Sequence, residues 1–86
     1  MMKKKPMEEN AVFTLQDYGR VRVHVDEMRV SCGLSKNRLA ILTGVSYNVV
    51  KRYCQPEVGG MVDLDFLAKA CYVLGCGIGD LLTLER

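Results

Sequence analysis

Two helix starts of one design stand eleven residues apart in this chain with a glycine between them, and that spacing leaves few folds open. Leu34-Ser35 and Val45-Ser46 each set an apolar residue before a serine. A serine in that place accepts from an orphan backbone amide, and the apolar residue before it packs on the residue five positions later, Leu39 in the first case and Val50 in the second. Neither start has Glu or Gln three residues after the serine, since Arg38 and Val49 stand there. The capping box is therefore incomplete, and each start rests on its serine and its staple. Between the two, Ala40 is small enough for helices to cross closely, and Gly44 can take the left-handed conformation that ends a helix. The spacing predicts two short helices joined by a tight turn at a sharp angle, over residues 35–55.

The second of these helices, residues 46–55, has two unlike faces. Val49, Val50 and Tyr53 share one side at helical spacing, which leaves Tyr47, Asn48, Lys51, Arg52 and Gln55 on the other. The outer set suits the edges of base pairs. Asn bonds adenine through two hydrogen bonds in the major groove and Arg does the same to guanine, so Asn48 and Arg52, one turn apart, are placed to address neighbouring base pairs. Tyr47 and Lys51 flank them as further candidates for base contact. Lys36, Asn37, Arg38 and Ser46 lie at the two helix starts, where free amides and basic side chains suit phosphate.

The charge pattern agrees with this assignment. Residues 28–56 carry Arg29, Lys36, Arg38, Lys51 and Arg52 and no acid, whereas residues 57–86 carry five acids against two bases. The net charge of +2 conceals this division. A basic segment that coincides with the candidate reading helix can draw in a phosphate backbone.

The chain here resembles the Cro and lambda-repressor-like helix-turn-helix family, also called the xenobiotic-response-element type. The resemblance rests on Leu39-Ala40, on Gly44 four residues after that alanine, on Val50 ten after it, and on the downstream run LDFLAKACYVLGCGIGDLL. It covers roughly residues 21 to 84. Two positions depart from the family pattern: Tyr53 stands where a smaller aliphatic residue is usual, and Lys36 replaces a common glutamine. The resemblance implies an all-α, compact five-helix domain that binds duplex DNA sequence-specifically, usually as a dimer, to regulate transcription.

Size and composition bound the alternatives. Eighty-six residues with 49% hydrophobic content make one small domain, with a modest core and no room for an elaborate active site. We expect no enzyme. No apolar run approaches the ~20 residues needed to span a bilayer, and the basic start MMKKKPMEEN is not followed by a hydrophobic segment, so a cytoplasmic protein is expected.

Residues 1–10 read as a flexible basic arm and residues 11–86 as the DNA-binding domain. Alternation of apolar and polar residues over 11–25 suggests a short N-terminal β-hairpin or edge strand, with a first helix beginning near Arg20 as the alternative. Either way that helix should include Asp26 to Cys32 and stop at Gly33. QPEVGG reads as a loop. Asp63 caps a fourth helix that runs to about Leu74, with Leu67, Ala68, Cys71 and Leu74 on one apolar stripe. A short helix near 78–82 follows, and LTLER leaves room for a terminal strand.

Other chemistry fares poorly against plain structural readings. Cys32, Cys54, Cys71 and Cys76 contain no C-x-x-C pair, so they suit packing rather than zinc, and reduced, metal-free thiols are expected. GCGIGD lacks the third glycine at G-x-G-x-x-G spacing and follows a helix rather than a strand, so its glycines read as helix punctuation. Asp63 and Asp65 serve helix capping and the helix dipole, and His24 reads as a packed residue. No cofactor or small-molecule ligand is evident.

The expected function is thus a DNA-binding transcriptional regulator, with an antitoxin of the same fold and an interaction module without DNA binding as rivals. A homodimer is expected, joined through Phe13, Leu15 and the valines of the N-terminal segment, or through Leu81, Leu82 and Leu84.

Overall fold

The computed structural model describes residues 18–85. Strand β1 (Arg20–Val23) leads into helices α1 (Val25–Ser31), α2 (Lys36–Thr43), α3 (Tyr47–Tyr53), α4 (Leu64–Leu74) and α5 (Ile78–Leu81), and strand β2 (Leu82–Glu85) ends the described chain. The expected caps do the work of starting the helices. The Ser35 hydroxyl accepts from the Arg38 amide at 3.0 Å, the Ser46 hydroxyl accepts from the Val49 amide at 3.3 Å, and the Asp63 carboxylate accepts from the Asp65 amide at 2.9 Å.

Three helices also end alike. After α1, α2 and α4 an amide just past the helix turns back on the carbonyl five residues before it: Leu34 to Arg29 at 3.1 Å, Val45 to Ala40 at 3.2 Å and Cys76 to Cys71 at 3.1 Å. Such a closure requires one left-handed residue, which Gly44 supplies with φ 74° and Gly75 with φ 66°. In the first two cases the returning residue is apolar and packs against the core, so the cap also aims the chain into the next helix.

β1 is a strand, which rules out a first helix beginning near Arg20. Its partner in the described chain is β2, antiparallel, with Arg20 opposite Glu85 and Val23 opposite Leu82. The expected edge strand is present, and it pairs with the terminal strand. The other half of a hairpin, Phe13 and Leu15, and the basic arm all lie outside the described residues. His24 fastens the turn from β1 into α1: its amide donates to the Leu81 carbonyl at 2.8 Å, and its ring bonds Glu27 at 3.0 Å and Thr83 at 2.7 Å. It is a structural fastener.

The core lies where all five helices meet, and two expectations change there. Leu81 is completely buried, and so is Val25, so neither can form a contact between subunits. A four-residue helix between one glycine-bearing turn and a strand shows no amphipathic period from which this burial could be read. On α4 the buried side consists of Phe66, Leu67, Ala70 and Leu74, while Ala68 faces solvent with Leu64 and Tyr72. The stripe is one position narrower than its composition suggested.

Tyr53 is the hinge of the packing. Its ring is buried and stacks on Phe66, with centroids 4.3 Å apart and planes at 21°. Its hydroxyl accepts from the Asp63 amide at 2.7 Å. A smaller aliphatic residue would fill part of the core but could not reach the chain just before α4. Tyr53→Phe should keep the stack and lose the hydrogen bond, lowering stability by about 0.5–1.5 kcal/mol in a urea titration. Tyr53→Ala should cost about 3–5 kcal/mol, because the ring's packing is lost and a cavity remains.

A second brace joins α1 to both motif helices. Arg29 donates to one oxygen of Asp26 from Nε at 3.0 Å and from Nη2 at 2.7 Å, and to the Leu34 carbonyl from Nη1 at 2.6 Å. The Cys54 thiol, at the end of α3, interacts electrostatically with the same carboxylate. Hydrogen bonding from Arg29 lowers the Asp26 pKa below its ordinary 3.8, burial opposes this, and Cys54 adds to it. A depressed carboxylate contributes stability above its unfolded pKa and loses it as pH falls through the folded value. Asp26→Asn should therefore destabilise the protein at neutral pH, with the gap from the parent narrowing as urea titrations are carried below 3.8. A gap of constant size across that range would show that the charge does not matter.

Candidate nucleic-acid interface

The two motif helices position the expected site residues differently. Ser46 is the N-cap of α3, so its hydroxyl oxygen is held by the Val49 amide while its hydrogen remains free to donate outward. Val50 and Tyr53 are buried and Val49 packs against the core from its edge. This fixes the rotation of the helix. Tyr47, Asn48 and Lys51 consequently emerge together on the exposed side, with Gln55 beyond them. Gln55 is turned back, donating from Nε2 to the Lys51 carbonyl at 3.2 Å.

Arg52 is placed apart from them. It is half-buried, and its guanidinium donates to the Gly59 carbonyl at 2.7 Å and to the Met61 carbonyl at 3.1 Å while lying 4.6 Å from the centre of the Tyr53 ring. Two of its five N–H donors are thus engaged by the loop that follows α3. The same loop is held from its other side by the ion pair between Arg20 of β1 and Glu57. Sequence reasoning missed this arrangement. The partners of Arg52 are backbone carbonyls, which every residue carries, so no residue type signalled them.

At the start of α2, Asn37 and Arg38 are exposed, while Lys36 is half-buried and acts electrostatically on Asp26. Lys36, Asn37 and Arg38 open α2, the helix that packs directly against α3, and Ser46 caps the start of α3 itself. The Asp26–Arg29 brace contributes as well. Burial, and then Asp26, push the Cys54 thiol upward in pKa, so at neutral pH it remains a neutral anchor for the end of α3.

Among the described residues no group of three or more His, Cys, Asp or Glu side chains is arranged to hold a metal ion. No described helix is long and apolar enough to cross a membrane. What the surface offers is hydrogen-bond donors and positive charge on one short helix, backed by a rigid neighbour. That combination serves recognition of an anionic, hydrogen-bonding polymer.

Comparison with known proteins agrees. Residues 24–86 match the model of the Cro/C1-type helix-turn-helix DNA-binding domain. A crystal structure of a Bacteroides fragilis protein provisionally described as DNA-binding superposes with a TM-score of 0.65 at 20% identity, over 74% of this chain and 100% of that one. At that identity the likeness speaks for the fold. The comparison with curated proteins returned no match. With the motif, its caps and its packing in place over the matched region, the chain belongs to the Cro/C1-type helix-turn-helix DNA-binding domains.

Proposed function

We propose that this protein is a cytoplasmic transcriptional regulator that binds duplex DNA sequence-specifically, with α3 as its major-groove reader. The observation that carries this reading is the exposed cluster of Tyr47, Asn48 and Lys51 on a helix whose opposite side is buried. Asn48 is assigned to an adenine, with Lys51 and Tyr47 on neighbouring positions. Arg52 can meet a base only by giving up the Gly59 and Met61 carbonyls, so we assign it first to holding the loop beside the reader. Lys36, Asn37, Arg38 and Ser46 are assigned to phosphates, which fix register without selecting sequence. Repression follows most simply, since occupying an operator is enough to exclude another protein. No step of this function calls for catalysis or a cofactor.

Selection of bound duplexes from a random library supplies the site on which these assignments are tested. Affinity should fall with salt, each neutralised phosphate adding about −0.9 to the slope of log affinity against log salt. A flat titration would remove the DNA-binding reading and favour a module that only contacts protein. Asn48→Ala should cost about 1–3 kcal/mol and relax preference at one base pair. Lys36→Ala and Arg52→Ala should weaken all sequences about equally. Should Arg52→Ala relax a single base pair instead, Arg52 is a reader and releases its loop on binding.

The protein should work as a homodimer on an inverted repeat. One domain exposes a single reading helix, too little contact for selectivity among a genome's competing sites. Half-site centres about 34 Å apart would bring two readers to one side of the duplex. Val21 and Leu84 are the best candidates for the contact. They face each other across β1 and β2, and are 60% and 55% exposed, whereas Leu82 and Val23 are partly spent on the core. Light scattering with and without the selected duplex tests this, and a monomer in both conditions on an asymmetric site would defeat it.

A further inference from the structure

Three of the four cysteines gather at the far end of α4. The closure of that helix holds the Cys76 amide 3.1 Å from the Cys71 carbonyl, with Gly75 left-handed between them. In this type of cap the side chains of the two bonded residues come together on the same side of the chain. The equivalent pairs at the ends of α1 and α2 are Arg29 with Leu34 and Ala40 with Val45. Only the α4 cap pairs two thiols. Both are half-buried against the core and accessible at one edge. Cys32, at the end of α1, is exposed and donates its thiol hydrogen to the Leu74 carbonyl at 3.6 Å, one residue short of the same cap.

We propose that Cys71 and Cys76 form an oxidation site which takes a low-molecular-weight disulfide as oxidant and closes an intramolecular disulfide across the end of α4. The Cys71 thiolate attacks one sulfur of the small disulfide, whose S–S bond breaks. One half leaves as a thiol, and Cys71 retains the other as a mixed disulfide. The Cys76 thiol then gives up its proton and attacks the Cys71 sulfur, the S–S bond to the small half breaks, and that half leaves as a thiolate that takes up a proton. The protein loses two protons and two electrons, and the oxidant takes them up and becomes two thiols. The order follows from the surroundings. Burial, together with the neighbouring Cys71, raises the Cys76 thiol pKa and keeps it protonated, so it is the poorer first attacker. In the second step its target is already beside it. Excess thiol reverses both steps, so the pair rests reduced in a reducing solution. The site is independent of the DNA-binding reading, since none of the residues assigned to DNA touches it.

Cleavage after Lys69 releases both cysteines in a single peptide, residues 70–86, separate from those of Cys32 and Cys54. Native protein treated with oxidised glutathione and then alkylated should yield that peptide lighter by two hydrogens and without alkyl groups. The Cys32 and Cys54 peptides should stay alkylated. Cys32→Ser should leave the linkage unchanged, while Cys71→Ser should abolish it and leave at most a glutathione adduct. The linkage should also form faster in the native protein than in urea, because the cap supplies the geometry. Two alkyl groups on the 70–86 peptide, a persistent mixed disulfide there, a linkage to Cys32, or equal rates in urea would each overturn the proposal.

Discussion

The stack of Tyr53 on Phe66, completed by the hydrogen bond from the Asp63 amide to the tyrosine hydroxyl, is the contact on which the rest of the arrangement depends. It joins the last turn of α3 to the first turn of α4 in one side chain. Because the ring is buried, the rotation of α3 about its own axis is fixed, and so is the direction in which Tyr47, Asn48 and Lys51 point. The loop between the helices is shaped by the same contact, since its far end is held at Asp63 and its middle by Arg52. A residue that departs from its family's pattern thus sets both the exposed side of α3 and the segment beside it. Full burial of an aromatic side chain contributes about 1.5–3 kcal/mol, more than the hydroxyl's bond adds. The ring supplies the strength and the hydroxyl supplies the register.

What was legible in the sequence was the local chemistry. Ser35, Ser46 and Asp63 cap the helices they were expected to cap, and Gly44 ends α2 as the turn required. These features depend on residues within a few positions of one another, so spacing alone reveals them. The buried side of α3 could be read for the same reason.

What escaped was set by backbone carbonyls, which no residue type announces, and by burial that only the assembled fold decides. Arg52 reads in sequence as an outward-facing cation, yet its guanidinium lies over the loop because two carbonyls there converge on it. Arg29 likewise spends a donor on the Leu34 carbonyl. Leu81 looked available for an interface because it lies outside the core that the two motif helices require, but the fold packs α5 against α1 and α4 and buries it. Ala68 was placed in the apolar stripe by residue type, although small residues carry little information about which way they face.

The pairing of β1 with β2 sets Arg20 beside Glu85, so the two limits of the described chain meet at one place. Topologically the domain is close to a ring. Its helices are strung along one continuous path that returns to its origin, and the order in which they are connected matters less than the closure itself. A few residues joining Glu85 back to Tyr18, with a new opening cut at the exposed Gln55-Pro56 step, would give a permuted chain with the same neighbours around every buried side chain. Helix α3 would then stand at the C-terminus and α4 at the N-terminus, held together by the Tyr53–Phe66 stack and no longer by the chain between them.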